Sequence, residues 1–153
     1  MKYSEYKFKF YLNASHSIYI NNKLGQKHPH TWEITMDMIK IVDGFVQFND
    51  VEYTIEKMLS DYQDKYINEI PPFDTLNPTL ENICLHFKDC IDEQMKNMGW
   101  LLLKIEISET PTRSYMIDLI IDFQQENGKY LSEKSAYETT AQELEKIINS
   151  INS

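Results

Sequence analysis

Apolar and polar residues alternate along two stretches in the first third of the chain, and this period-two pattern is typical of half-buried β-strands. The first stretch is residues 6–20, "YKFKFYLNASHSIYI", and the second is residues 30–42, "HTWEITMDMIKIV". Two later stretches, residues 100–110 and 113–123, are rich in β-branched and other apolar residues and flank a turn that contains proline. The pattern therefore predicts four strands.

Between the two strand pairs, the apolar spacing changes to that of helices. A first helix is predicted where apolar residues recur three or four positions apart, at Val51, Ile55, Met58, Leu59 and Tyr62. A second helix is predicted over residues 77–99. Its predicted N-cap is Asn77, its first helical residue is Pro78, its first-turn acid is Glu81, and Gly99 is expected to stop it.

The order of two strands, two helices and two strands predicts an α+β fold, in which a four-stranded antiparallel sheet packs one face on a helix pair. We expect this ββααββ domain to occupy residues 1–128. Residues 129–153 are expected to form a linker and a short amphipathic helix, "YETTAQELEKIINSI". An open sheet has two unpaired edges, and pairing with other subunits would cover them, so a homo-oligomer is expected.

Composition restricts the class of protein and of partner. The 153 residues, 42% of them hydrophobic and 25% charged, suit one soluble globular domain. The net charge of -9, without a basic patch, argues against a nucleic-acid partner. No apolar run reaches membrane-spanning length and the N-terminus lacks a signal-peptide core, so we expect a cytoplasmic protein with no membrane partner. Cys84 and Cys90 should point to different helix faces and remain free thiols.

Three of the four histidines in the sequence lie close together, at His16, His28 and His30. His28 and His30 are two apart at a strand start, so their side chains should project from the same face. His16 lies where the neighbouring strand ends and could face the same point. Three converging imidazoles without a fourth protein ligand are the arrangement of a catalytic zinc ion that keeps an open position. The alternative is that surface histidines lie near each other by chance.

Four short motifs carry a resemblance to a known family. In chain order they are "FYLNASHSIY", "HPHTWEI", "NPTLEN" and "EISETPTRSY". Their order and spacing resemble those of the 6-pyruvoyltetrahydropterin synthase and 6-carboxytetrahydropterin synthase family, over roughly residues 5–123. The resemblance implies a tunnelling fold, or T-fold, in which subunits pair edge strands into a barrel. It further implies a trimer or a hexamer with active sites between subunits.

The resemblance also implies roles for single residues. His16, His28 and His30 are implied to bind Zn²⁺. Glu109 is implied to hold a pterin ring through the ring N–H and the exocyclic amino group, since a carboxylate accepts two parallel hydrogen bonds. Without the resemblance, Glu109 would be interpreted as a solvated acid at the end of a strand. The implied partner is a pterin or a purine-like small molecule, and queuosine biosynthesis is one role that fits it.

The sequence departs from the family where protons are moved. The family reaction on 7,8-dihydroneopterin triphosphate uses a cysteine and an Asp–His pair as proton-transfer groups, whose pKa values suit general acid–base catalysis. Leu24 stands at the position of the cysteine, and Gln63 and Asp64 stand at the positions of the Asp–His pair. Leucine and glutamine exchange no protons near neutral pH. Asp64 is therefore the remaining candidate catalytic residue, and it would act as a base if its surroundings raised its pKa.

Three hypotheses follow about function. The first is a zinc-dependent lyase of this family with altered proton transfer, which uses Asp64 or a metal-bound hydroxide as the base. The second is a paralogue that binds zinc and a pterin or purine-like ligand without catalysis, or with a different reaction. The third is a structural oligomer with a vestigial metal site. The presence of all three histidines and of Glu109 disfavours the third, and an open metal position favours an enzyme.

Overall fold

The computed structural model describes residues 5–120 and, in the C-terminal segment, positions 146 and 149. Residues 5–120 form six strands, two α-helices and a short 3₁₀ helix. In chain order these are β1 (Glu5–His16), β2 (Tyr19–Ile20), β3 (Lys23–Leu24), β4 (His28–Lys40), α1 (Phe48–Leu59), the 3₁₀ helix (Ile67–Glu69), α2 (Leu80–Asn97), β5 (Trp100–Thr110) and β6 (Arg113–Asp118).

The main sheet has four antiparallel strands in the order β1-β4-β5-β6. Alternate side chains of β1 and β4 are buried in one core with the apolar faces of α1 and α2. The largest fully buried side chains come from both layers and include Leu12, Trp32, Ile34, Met36, Ile55, Ile83 and Phe87. The predicted α+β architecture, with helices covering one face of the sheet, is confirmed.

The first predicted strand, residues 6–20, is interrupted after His16. Beyond that residue the chain leaves the main sheet and forms the two-stranded hairpin of β2 and β3. The turn of the hairpin places Asn21 and Asn22 at φ 50° and 63°. Asparagine tolerates this left-handed conformation, so the Asn-Asn pair favours a tight turn at this point over a longer strand.

Helix α2 begins later than predicted, because its N-cap is Thr79 and not Asn77. The Thr79 hydroxyl accepts a hydrogen bond from the backbone N–H of Asn82 at 3.3 Å. The side-chain amide of Asn77 is instead bonded to the backbone of Tyr19, so it cannot cap the helix. Pro78 consequently lies before the helix and is not its first residue. The predicted first-turn acid, Glu81, is confirmed.

The C-terminal half of the domain follows the prediction closely. Gly99 comes after α2 with φ +78°, a conformation that favours glycine as a helix stop, and β5 spans the predicted range. The last predicted strand, residues 113–123, is shorter in the structure, because β6 ends at Asp118 and residues 119 and 120 are helical; the positions after 120 lie outside the described residues. The predicted domain boundary and most of the C-terminal helix also lie outside the described residues. Positions 146 and 149 of that helix are described, and both are helical.

The segment that follows α1 covers part of the outer edge of β1. The Asp64 N–H donates to the Asn13 carbonyl at 2.6 Å, and the Ser15 N–H donates to the Lys65 carbonyl at 2.9 Å. Tyr66 forms a parallel bridge with Ser15. This half of the edge is therefore closed within the chain. For the other half, no partner strand exists among the described residues.

Two sequence expectations concern thiols and membranes. Both cysteines are free, as predicted, with Cys84 buried and Cys90 partly buried in α2. Burial raises the pKa of the Cys84 thiol to about 12, so this side chain stays protonated and serves packing. Within the described residues, no helix combines the length and the hydrophobicity that crossing a membrane requires.

Candidate metal centre

The pairing of β1 with β4 brings the three predicted histidines together. His16 lies directly across from His28, and His30 pairs with Ala14, two residues earlier on β1. One ring nitrogen from each of the three lies within 4.8 Å of the others. His16 is fully buried, and His28 and His30 are partly buried. The predicted convergence of the three imidazoles is confirmed.

Backbone carbonyls orient two of the three rings. The Nδ1 atom of His16 lies 2.8 Å from the Pro78 carbonyl oxygen, and the Nδ1 atom of His28 lies 2.9 Å from the Gln26 carbonyl oxygen. Because a carbonyl oxygen only accepts, each Nδ1 carries the hydrogen, and each Nε2 of a neutral ring presents a lone pair. The two Nε2 atoms lie 2.9 Å apart.

This arrangement fits a bound cation. Two facing lone pairs repel each other unless a proton or a metal ion lies between them. Burial lowers the pKa of His16, one of the two facing rings, which disfavours the proton. The Nε2 atom of His30 is buried without a hydrogen-bond partner in the described structure. Four-coordinate zinc would hold its nitrogen ligands roughly 3.3 Å apart, so the three histidines could hold a metal ion after small shifts.

Trp32 supports the rings from the side of the core. It is fully buried on β4, and its ring meets those of His16 and His30 edge to face, at centroid distances of 5.0 and 5.2 Å. Such contacts restrict the ring rotations of both histidines. Its contact with His30 follows from their positions two apart on β4, and its contact with His16 follows from the register of β1 and β4.

Two asparagines hold the chain where it leaves His16, a role that the sequence predicts for neither. The Asn68 amide accepts from the Ser17 N–H at 2.9 Å and donates to the Ser17 carbonyl at 2.8 Å. The Asn77 amide makes the same pair of bonds with Tyr19, at 2.9 and 3.0 Å. Each amide thus makes the two backbone hydrogen bonds that a neighbouring strand would otherwise make. No local sequence signal distinguishes such long-range bonds from helix capping.

Glu109 lies beside the histidines at the end of β5. Its side chain is only 8% exposed, so the interpretation as a solvated acid is wrong. Its Oε1 atom lies 3.8 Å from the His30 Nε2 atom. The Arg113 Nη2–H group donates to the same oxygen at 2.6 Å. Arg113, the only arginine in the chain, is not among the site residues predicted from the sequence.

The three residues that stand at the proton-transfer positions of the family differ in whether they lie next to the histidines. Asp64 is exposed, has φ +60°, and shares with His30 an open cleft of about 370 Å³. Gln63 is engaged elsewhere, because its Oε1 atom accepts the Asn13 N–H at 3.3 Å. Leu24 is 49% exposed on the β2–β3 hairpin. Only Asp64 of the three offers an ionisable group, and it lies on the cleft that His30 lines.

The fourth histidine is not part of this cluster. His86 lies on α2, as predicted, and its Nε2 atom is 3.0 Å from the Tyr62 hydroxyl and 3.6 Å from the Cys90 sulfur. Its ring also packs edge to face on Phe73. Burial lowers the pKa of His86. These contacts give its Nε2 atom partners other than the histidine cluster.

The family model for 6-pyruvoyl tetrahydropterin synthase matches residues 5–119 of the sequence. The match begins with β1 and ends just after β6, so it includes all three histidines and Glu109. No curated protein matches the sequence significantly.

Solved structures share the fold at low sequence identity. The 6-pyruvoyl tetrahydropterin synthase of Caenorhabditis elegans is 16% identical with a TM-score of 0.66, and the alignment covers 77% of this chain and 96% of that one. The Plasmodium vivax enzyme of the same name is 12% identical with a TM-score of 0.59, over 76% and 98%. An uncharacterized protein of Wolinella succinogenes is 11% identical with a TM-score of 0.60, over 77% and 99%.

Proposed function

The chain belongs to the 6-pyruvoyl tetrahydropterin synthase family, and from this premise we propose that it is a zinc-dependent lyase that acts on 7,8-dihydroneopterin triphosphate or a related pterin. The observation that supports this most directly is the set of three histidine Nε2 atoms, two of them facing each other at 2.9 Å and the third without a partner, with a buried carboxylate beside them. This combination provides a metal site and an anchor for a polar ring.

His16, His28 and His30 would hold the zinc ion, which when bound supplies a Lewis acid for charge that develops on a ligand oxygen. The hydrogen bonds from Nδ1 of His16 and His28 to backbone carbonyls keep their Nε2 atoms available. Glu109 would orient the pterin, because its carboxylate accepts hydrogen bonds from adjacent N–H groups of the ring edge. Its burial strengthens these bonds, since little water competes for them.

Asp64 is the residue that we propose as the base. It shares the cleft with His30, and the backbone hydrogen bond from its N–H to Asn13 positions it there.

One observation favours a second candidate function, a paralogue that binds zinc and a pterin or purine-like ligand without catalysis or with a different reaction. Leu24 cannot exchange protons, and the side chain of Gln63 is used in a structural hydrogen bond.

Pterin binding tests the proposed anchor. We expect Glu109→Ala to weaken pterin binding by roughly 1.5–3 kcal/mol, because the ring would lose a charged hydrogen-bond partner. Fluorescence titration of the zinc-loaded protein measures the change. Glu106→Ala is a matched control, since Glu106 lies on the same strand but faces the opposite side of the sheet. Equal pterin affinity in the two variants would remove Glu109 from the binding site.

Assembly follows from the edges of the sheet. We propose a homo-oligomer, a trimer or a hexamer, because part of β1 and the outer edge of β6 have no partner strand among the described residues. Light scattering at micromolar concentration should give a multiple of three chain masses. A variant that lacks residues 129–153 should give the same number of subunits. A monomeric wild type would contradict the proposal.

A further inference from the structure

The one arginine of the chain lies at the candidate ligand anchor. Of fifteen basic residues, fourteen are lysines, and the only arginine, Arg113, is bonded to the buried Glu109 at 2.6 Å. A lysine would supply the same charge at this position. A guanidinium differs in that it is planar and presents several N–H donors in a fixed geometry. A chain that otherwise uses lysine thus has a fork of donors beside the proposed pterin anchor.

The geometry leaves this fork able to bind a second acceptor. The Arg113 side chain is 63% exposed, whereas Glu109 is 8% exposed. The described contact engages Nη2 of the guanidinium with Oε1 of the carboxylate. Guanidinium groups carry about five N–H donors, so others remain for a ligand that approaches the carboxylate. A ligand edge that reaches both carboxylate oxygens and a free N–H of the guanidinium would meet two acceptors and one donor.

That order is complementary to a 2-amino-4-oxo ring edge, which presents an amino donor, a ring N–H donor and a carbonyl acceptor. We propose that Arg113 is a specificity-determining residue that donates a hydrogen bond to the 4-oxo group, while the Glu109 carboxylate accepts from the two ring donors. The inference rests on the proposed function, since it assumes that a pterin-like ring binds at Glu109. It adds selection for the 4-oxo group, which a carboxylate alone does not contact.

Two purely structural roles for Arg113 predict other changes in ligand affinity. If Arg113 only neutralised Glu109, a ligand would have to displace it, and removing the arginine would tighten binding. If Arg113 only held Glu109 in place, its removal would weaken every ligand that uses the carboxylate to the same extent. Comparing two ligands that differ at the 4-position separates these roles from direct recognition of the carbonyl.

The experiment titrates zinc-loaded protein with pterin and with its 4-thioxo analogue, in which sulfur, a weak hydrogen-bond acceptor, replaces the 4-oxo oxygen while the 2-amino and ring N–H donors are kept. We expect Arg113→Met to weaken pterin binding about tenfold or more and to change the binding of the 4-thioxo analogue much less. Arg113→Lys should lose part of the pterin affinity. Lys96→Met is the matched control, because Lys96 forms an i,i+4 ion pair with Asp92 on α2 and should change neither ligand.

Each other result has a definite meaning. Unchanged or tighter pterin binding in Arg113→Met would overturn the assignment and leave the proposed function intact. An equal loss for both ligands would assign Arg113 to holding Glu109. If the wild-type protein bound no pterin, both this assignment and the proposed function would be wrong. Zinc content and thermal unfolding, measured on every variant, identify changes that come from misfolding, and Arg113→Lys gives the test should Arg113→Met not fold.

Discussion

Purified wild-type protein is expected to contain about one zinc ion per chain, and His28→Ala is expected to contain almost none. His28 supplies the Nε2 atom that lies 2.9 Å from the Nε2 atom of His16. Removing it leaves two protein ligands, which hold zinc far more weakly than three. The alanine would also remove the close approach of two lone pairs in the metal-free state, so the variant should remain folded.

Elemental analysis measures this difference, and the visible spectrum of the cobalt-substituted protein reports the ligand geometry independently. His86→Gln is the matched control, because His86 is the fourth histidine of the chain and lies on α2, bonded to Tyr62. Its zinc content should equal that of the wild type. The metal assignment is falsified if wild type and His28→Ala contain equal amounts of zinc.

The histidine cluster could be predicted from the sequence because strand geometry determines which side chains share a face. Side chains two positions apart share a face of a strand, which placed His28 and His30 together. The alternation of apolar residues on β1 extends as far as His16 and puts it on the core side. What the pattern could not supply was the register, which sets His16 directly across from His28.

The supports that come from residues 68, 77 and 78 could not be predicted, since these are contacts between distant segments. Local preferences predict Pro78 as the first residue of a helix, yet its carbonyl accepts from His16. They predict Asn77 as the N-cap, yet its amide bonds to Tyr19. Both interpretations followed local preferences, and tertiary hydrogen bonds overrode them. The burial of Glu109 likewise depends on packing and not on its neighbours in the sequence.

The rarity of arginine in this chain is a sequence signal for a special role of Arg113. Its rarity in this chain is visible in the sequence, but its partner becomes known only when the turn between β5 and β6 brings residue 113 back to residue 109. In β-hairpins the residues close to a turn come into contact across the two strands, so an acid and a base flanking a short turn are candidates for an ion pair. An ion pair beside the predicted site can therefore be expected from the sequence at this turn.

Conversion of 7,8-dihydroneopterin triphosphate by the wild-type protein is expected to be slow. General acid–base groups contribute on the order of a hundred- to ten-thousand-fold each, and Leu24 and Gln63 supply none of that contribution. The zinc ligands and Glu109 do not depend on these groups, so binding should persist while turnover falls. Product formation, measured beside the Caenorhabditis elegans 6-pyruvoyl tetrahydropterin synthase as a reference, quantifies the loss.

Restoring the family residues in one variant (Leu24→Cys, Gln63→Asp and Asp64→His) should raise turnover. The left-handed conformation of residue 64, at φ +60°, is compatible with the change, because histidine is enriched there as aspartate is. Gln63→Asp removes the 3.3 Å bond to the Asn13 N–H, so some loss of stability is expected, and thermal unfolding measures it. Adding Glu109→Ala to the variant should reduce turnover again if the gain arises at this site. Wild-type turnover equal to that of the reference enzyme would show instead that other groups move the protons, with Asp64 as the first to examine.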